Sequence, residues 1–119
     1  MTKETLLEHF ENPRNVGEIA SPSGRARAAN PVCGDEVLAT TRVEEGVVLE
    51  VRYRVRGCHA TIAAMSVLSE RVRGRAAADA ASITPEELMG WFEGFPSGKR
   101  HAAEVAVLAV RRALGEVSP

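Results

Sequence analysis

Alternation of apolar and polar residues dominates the middle of the chain. Every second residue from 37 to 43 is Val, Ala, Thr and Val, and the same period recurs from 47 to 55. A period of two over this length predicts two strands with one buried and one solvent-facing side. The loop Glu44-Glu45-Gly46 joins the two runs and contains glycine, so they predict an antiparallel hairpin. A weaker alternation over 24–28 predicts a further strand before it.

Apolar residues spaced three and four apart predict helices on both sides of the strands. The predicted helices cover Thr2–Glu11, the residues from Thr61 to Val72, the segment that opens with the capping box Thr84-Pro85-Glu86-Glu87, and a last helix capped by Ser97 and ending at Leu114. The predicted strands are therefore consecutive in the chain, with helices before and after them. This order predicts one α+β domain over residues 1–119, with a small antiparallel sheet of about three strands and helices packed on one face.

Charge and composition narrow the function classes. The net charge of −1 gives no global reason to expect binding to nucleic acid or membrane. No apolar run approaches the roughly 20 residues of a membrane helix, and residues 1–12 lack the basic-then-apolar order of a signal peptide. We therefore expect a cytoplasmic protein in which thiols stay reduced, which disfavours a disulfide between Cys33 and Cys58.

The hairpin has a chemical consequence for both cysteines. Cys33 precedes the first strand of the hairpin and Cys58 follows the second. Antiparallel pairing places the start of one strand beside the end of the next, so both thiols are expected at the same end of the sheet. Cys58 also lies at a strand-to-helix junction, where the positive end of the helix favours the thiolate.

Four side chains form a candidate ligand set for a metal. Cys33, Asp35, Cys58 and His101, the last in the first turn of the final helix, offer the sulfur, nitrogen and oxygen donors that zinc prefers. Iron–sulfur clusters favour thiolates and tolerate histidine. Spacing alone leaves another interpretation open, because the chain has no C-x-x-C pair. In that interpretation the cysteines are small buried apolar residues and His101 is a surface side chain.

Four segments together resemble a known family. The segments are His9–Gly17, Asn30–Asp35, Gly57–Ala63 and Lys99–Ala102. The first three are similar to the opening signature and the two first cysteine motifs of the IscU/NifU N-terminal family of iron–sulfur cluster scaffold proteins. The fourth lines up with that family's lysine–x–histidine–cysteine motif. The likeness runs nearly the whole length of the chain, in order and at family-like spacing.

The resemblance implies a scaffold, not an enzyme, on which an iron–sulfur cluster is built and then passed to apo-proteins. It implies a cysteine desulfurase as the sulfur donor and zinc as a frequent occupant of the same site. Cys33, Cys58 and His101 become ligands of a cluster or of zinc, Asp35 becomes an exchangeable ligand, and Lys99 becomes a nearby auxiliary cation.

One position departs from the family pattern. Ala102 stands where the family has its third cysteine, which leaves two thiolates, one imidazole and one carboxylate. Two other functions therefore stay open: a zinc-bearing sulfur acceptor for a cysteine desulfurase, and an interaction or regulatory module that keeps the fold without metal. His9 and His59 are predicted at the surface. The row Arg52, Arg54 and Arg56 is predicted on the solvent-facing side of the sheet, either simply solvated or docking an acidic partner.

Overall fold

The computed structural model describes residues 3–31 and 34–115. Its three strands form one antiparallel sheet in the order β1-β2-β3. They are β1 (Gly24–Asn30), β2 (Asp35–Glu44) and β3 (Val47–Arg56). The helices are α1 (Leu6–Glu11), α2 (His59–Arg71), α3 (Ala77–Ala81), α4 (Pro85–Gly90) and α5 (Arg100–Ala113). The predicted α+β class and three-stranded antiparallel sheet are confirmed. In the described part of the chain, no helix is both long and apolar enough to cross a membrane.

Helix α5 covers one face of the sheet, as predicted. It packs across β1 and β2, and α2 packs against α5, β3 and α1. The C-terminal end of α5 is fixed by Thr41, whose hydroxyl donates a 2.7 Å hydrogen bond to the carbonyl of Ala113. Helix α2 is buried on most of its circumference, because helices and sheet surround it. These contacts hold the N-terminal ends of α2 and α5 at one end of the sheet.

The β2–β3 turn shows why this chain forms a hairpin. Glu45 and Gly46 connect the strands with φ angles of 51° and 78°. Two positive φ angles in a two-residue loop fit the right-handed twist of the flanking strands, and glycine adopts this conformation without steric cost. The predicted antiparallel hairpin is confirmed.

A bulge near this turn changes which side chains of β3 face the core. The pairing register shifts between Arg42, which pairs with Glu50, and Val43, which pairs with Val48. Leu49 is the additional residue and is 39% exposed, whereas Val48 is fully buried. An extra residue in one strand moves the following side chains to the other face. The prediction that Val47 and Leu49 share the buried face with Val51 is therefore wrong.

The second face of the sheet is less open than predicted. The backbone N–H of Gly17 donates to the Tyr53 carbonyl at the outer edge of β3 (2.8 Å), and the N–H of Ile19 donates to Thr40 Oγ1 (3.1 Å). The segment 15–20 thus wraps from the edge of β3 onto this face. Leu38 and Thr40 are buried, although the alternation assigns them to the solvent-facing side.

Helix ends agree with the sequence in part. The hydroxyl of Thr84 accepts the backbone N–H three residues on, so the predicted cap of α4 is confirmed. Helix α1 begins at Leu6 behind an N-cap at Thr5, later than predicted, because the Thr5 hydroxyl accepts the N–H of Glu8. The prediction that Ser97 caps the last helix is wrong: Ser97 opens a short 3₁₀ turn that leads into α5.

Candidate metal centre

Three predicted ligands meet at the end of the sheet. Asp35 is the first residue of β2, Cys58 is the N-cap residue of α2, and His101 is the second residue of α5. One donor atom from each lies within 4.8 Å of the others. The hairpin brings the start of β2 beside the end of β3, which places Asp35 next to Cys58. The packing of α5 on the sheet then adds the imidazole.

The Asp35 carboxylate is held in a fixed orientation. The side chain is almost fully buried, and its Oδ1 accepts the backbone N–H of Cys58 at 3.1 Å. Its Oδ2 accepts the hydroxyl of Thr61 at 3.1 Å and lies 3.4 Å from Nε2 of His101. A buried carboxylate is costly unless it is paired and hydrogen-bonded, and these contacts supply both. As a result, Oδ2 faces the thiol and the imidazole.

Gly57 provides the space for this carboxylate. A Cβ atom at Gly57 would lie 2.3 Å from Asp35 Oδ1, well inside van der Waals contact. Any side chain at this position therefore has to displace Asp35. The glycine that precedes Cys58 is required by the close approach of the two strands' ends at the centre.

Thr61 also lies at the centre, and it is not among the ligands predicted from the sequence. Its side chain is fully buried, and its hydroxyl contacts both Asp35 Oδ2 and, at 3.4 Å, Cys58 Sγ. The available signal was its spacing: positions three apart at the start of a helix lie on the same face. A hydroxyl on that face is within reach of whatever the cysteine binds.

The centre is accessible from solvent. A depression of about 320 Å³ is lined by Gly57, Cys58, His59, Ala60 and Lys99. Cys58 is a free, partly exposed thiol. Lys99 lies beside this opening, consistent with the auxiliary position expected for it. His59 is exposed, as predicted, and stacks on Phe10 with ring centroids 3.9 Å apart.

Cys33 and Ala102 are the other two positions that the sequence assigns to the centre. Cys33 lies outside the described residues, so its role as a ligand stays a prediction. Ala102 is fully buried beside His101 in the first turn of α5.

The donor set fits a thiophilic divalent metal. A thiolate, an imidazole and a carboxylate are the three ligand types found in tetrahedral zinc sites, and thiolate with imidazole also binds iron in clusters. The Asp35 carboxylate supplies the negative charge that a cation requires. The arrangement can hold a metal and leaves a solvent-facing side for a further ligand.

A second polar cluster corrects the prediction for His9. This residue is 1% exposed, not at the surface. Its Nδ1 lies 2.7 Å from Ser66 Oγ and 3.1 Å from a guanidinium nitrogen of Arg14, and its Nε2 lies 2.9 Å from Glu4. Because the guanidinium only donates, Nδ1 is the acceptor and Nε2–H donates to Glu4. Arg71 also donates to Glu4, at 3.1 Å.

The Glu4 carboxyl responds to this environment. Partial burial opposes its ionisation, but hydrogen bonds from His9 and Arg71 outweigh that effect and hold its pKa below the usual value of 4.5. The cluster is internally satisfied and joins the N-terminal segment to α2.

Comparison with known proteins gives a family match and several similar relatives. Residues 1–118 match the NifU-like N terminal domain family. The chain is 46% identical over 110 residues to the bifunctional protein NifU/MnmA of Rubrobacter xylanophilus, covering 91% of this chain but only 22% of that relative. It is 33% identical over 114 residues to the iron–sulfur cluster assembly scaffold protein IscU 1 of Archaeoglobus fulgidus, covering 96% of this chain and 74% of that relative.

A solved structure supports the fold. The N-terminal NifU-like protein of Brucella abortus superposes with a TM-score of 0.76 at 22% identity, covering 95% of this chain and 91% of that one. At this identity the match establishes the shared fold.

Proposed function

This chain belongs to the family of NifU-like N-terminal domains, and on that basis we propose that it is an iron–sulfur cluster assembly scaffold. Its cargo is a cluster or its metal precursor, held by Asp35, Cys58 and His101 together with Cys33. The protein acts by holding and passing on this cargo, without turning over a substrate. The expected partners are a cysteine desulfurase, which supplies sulfur, and apo-proteins that accept the cluster in the cytoplasm.

One observation carries the proposal: donor atoms of Asp35, Cys58 and His101 lie within 4.8 Å of one another beside an open depression. The start of a strand and the starts of two helices, far apart in sequence, supply them. A structural role alone does not require a thiol, an imidazole and a carboxylate to converge at a solvent-accessible position. A cargo site requires both the convergence and the access.

Anaerobic reconstitution with iron and sulfide tests this function. We expect visible absorption from a bound cluster, together with stoichiometric iron and sulfide. The Cys58→Ser variant should lose the absorption and the bound iron and sulfide. Cys33→Ser tests the predicted fourth ligand in the same assay. A colourless protein without bound iron, whose Cys58→Ser variant behaves as wild type does, would contradict the proposal and favour an interaction module that keeps only the fold.

A zinc-bearing sulfur acceptor is the second candidate. The observation in its favour is the depression at Cys58, which exposes the thiol next to Lys99. Incubation with a cysteine desulfurase and cysteine, followed by mass spectrometry, should then show one added sulfur on Cys58. Zinc in the purified protein together with this adduct, and without cluster formation, would favour this function over the scaffold.

A further inference from the structure

The face of the sheet opposite α5 is rich in arginine. Six arginines project from it, each alternating with inward-facing residues of its strand. They are Arg25, Arg27, Arg42, Arg52, Arg54 and Arg56. The register places Arg27 and Arg54 on either side of Leu38, and Arg25 and Arg52 on either side of Thr40. Because β2 separates β1 from β3, the two arginines of each pair are two strand spacings apart, about 10 Å.

Acidic residues offset only part of this charge. Glu18 pairs with Arg25 at 3.4 Å and Arg54 at 3.3 Å, and Glu50 pairs with both Arg42 and Arg52. Glu36 and Glu44 alternate with inward-facing residues of β2 and are two more carboxylates on this face. Six arginines against four glutamates make the face positive, although the whole chain has a net charge of −1. The positive charge is thus segregated on this surface.

Two of the arginines have no ionic partner among the residues that the structure describes. Within residues 3–31 and 34–115, no ion pair involves the guanidinium of Arg27 or of Arg56. Both border a depression of about 220 Å³ that is also lined by Leu38 and Val55, by the Glu18–Arg54 ion pair and by Glu36. The depression therefore combines apolar side chains with three arginines and two glutamates, and the guanidinium groups of Arg27 and Arg56 are left without an ionic partner among the described residues. This pattern suits carboxylates that flank an apolar side chain.

The arginine face ends next to the metal centre. Its last row pairs Glu36 with Arg56, and the adjoining residues along these strands are Asp35 and Gly57. A protein seated on this face would therefore reach the end of the sheet where the candidate ligands lie. Rim charges of this kind steer association and set orientation.

We propose that the arginine face is a docking surface for an acidic protein, with Arg27 and Arg56 as its principal contacts. The partner presents carboxylates around an apolar residue. Nucleic acid fits this face less well, because no aromatic side chain is exposed among these six arginines to stack on a base: Tyr53, between Arg52 and Arg54 in the strand, is buried on the opposite face. The proposal is independent of what the metal centre binds.

Fluorescence anisotropy with a labelled peptide tests the surface. The probe has four glutamates around a central leucine, and the matched peptide has glutamine at the same four positions. Each is titrated with wild type, Arg27→Glu, Arg56→Glu and the control Arg73→Glu, whose arginine is exposed in the turn after α2. A short RNA duplex is a third probe. Titrations are repeated at about 0.3 M salt, where exposed charges are screened.

We expect the glutamate peptide to bind, and each variant of the face to weaken it on the order of tenfold, while Arg73→Glu changes it by less than about twofold. Salt should reduce the affinity. Equal binding of the glutamine peptide, equal loss in Arg73→Glu, or tighter binding of RNA than of peptide would overturn the proposal. Zinc binding should stay as in wild type. Where a reversed charge prevents folding, Arg27→Gln and Arg56→Gln replace it, with a smaller loss expected.

Discussion

The molecule contains two clusters that combine a histidine, a hydroxyl and a carboxylate, and α2 supplies the hydroxyl to both. In one, Ser66 contacts His9, which contacts Glu4. In the other, Thr61 contacts Asp35, which lies beside His101. The composition is nearly the same, but the surroundings differ. The comparison shows that residue types alone do not distinguish a structural cluster from a binding site.

Charge and access make the difference. In the His9 cluster, Arg14 donates to the imidazole and Arg71 donates to Glu4. The acceptors of this cluster are therefore already hydrogen-bonded, and the two guanidinium charges repel a metal cation. The His101 cluster instead includes a thiol and opens to a depression of about 320 Å³. We therefore assign the first cluster to stability and the second to binding, and the following variants separate the two roles.

The largest effect is expected for zinc binding in His101→Ala. This change removes one of the proposed ligands, so the affinity should fall more than about 100-fold, beyond the 10–100-fold typical of residues that only orient ligands. His9→Ala should leave the affinity near that of wild type. Competition with a chromophoric chelator measures both. Equal losses in the two variants would show that the clusters are not functionally distinct.

The reverse result is expected for stability. His9→Ala leaves buried partners of the imidazole unsatisfied and creates a cavity between α1 and α2, so the free energy of unfolding should fall by about 2–4 kcal/mol. His59→Ala is the control, because His59 is exposed and only stacks on Phe10. Urea denaturation of metal-free protein measures the difference. If His9→Ala lowered the free energy of unfolding by less than His59→Ala does, the structural role of His9 would be contradicted.

The two clusters also show which features of the fold can be predicted from the sequence. Alternation and helical periodicity predict the hairpin and the helices around it. Hairpin geometry predicts that Cys33 and Cys58 lie at the same end of the sheet, and it also accounts for the observed contact of Asp35, two residues after Cys33, with Cys58. The burial of His9 depends on packing between α1 and α2, and its contact Ser66 is 57 residues away in the sequence. The bulge at Leu49 depends on how β3 pairs with β2 beside the turn. Neither feature can be predicted from a local sequence pattern.

An intermediate effect is expected for Gly57→Ala. The added methyl group would lie 2.3 Å from Asp35 Oδ1, so the carboxylate has to move away from the thiol and imidazole. Zinc affinity should fall about 10–100-fold, as for other changes that reorient a ligand. Gly98→Ala is a matched control, because a Cβ there has open space. Calorimetric titration with zinc distinguishes them, and equal affinities would contradict the close packing at Gly57.

A smaller effect is expected for Thr61→Val, which keeps the shape of the side chain and removes the hydrogen bond to Asp35. We expect zinc affinity to fall about tenfold and Thr61→Ser to restore most of it. Cobalt substitution adds a spectroscopic test, since a change in ligand orientation alters the visible bands of the bound ion. Identical spectra and affinities in Thr61→Val and wild type would show that the hydroxyl does not position Asp35.

The smallest effect concerns pH and the His9 cluster. The pKa of Glu4 is lowered in the folded protein, so its stabilising contribution is fully present above the unfolded value of about 4.5 and is lost as pH falls through the lower folded value. Glu4→Gln should therefore flatten the decline of unfolding free energy in acid by about 0.2–1 kcal/mol, the range for partly exposed ion pairs. Glu11→Gln, at the exposed end of α1, should follow the wild-type profile. Urea midpoints measured between about pH 3 and pH 6 test this, because parallel curves for Glu4→Gln and wild type would mean that the His9 and Arg71 contacts to Glu4 do not stabilise its ionised form.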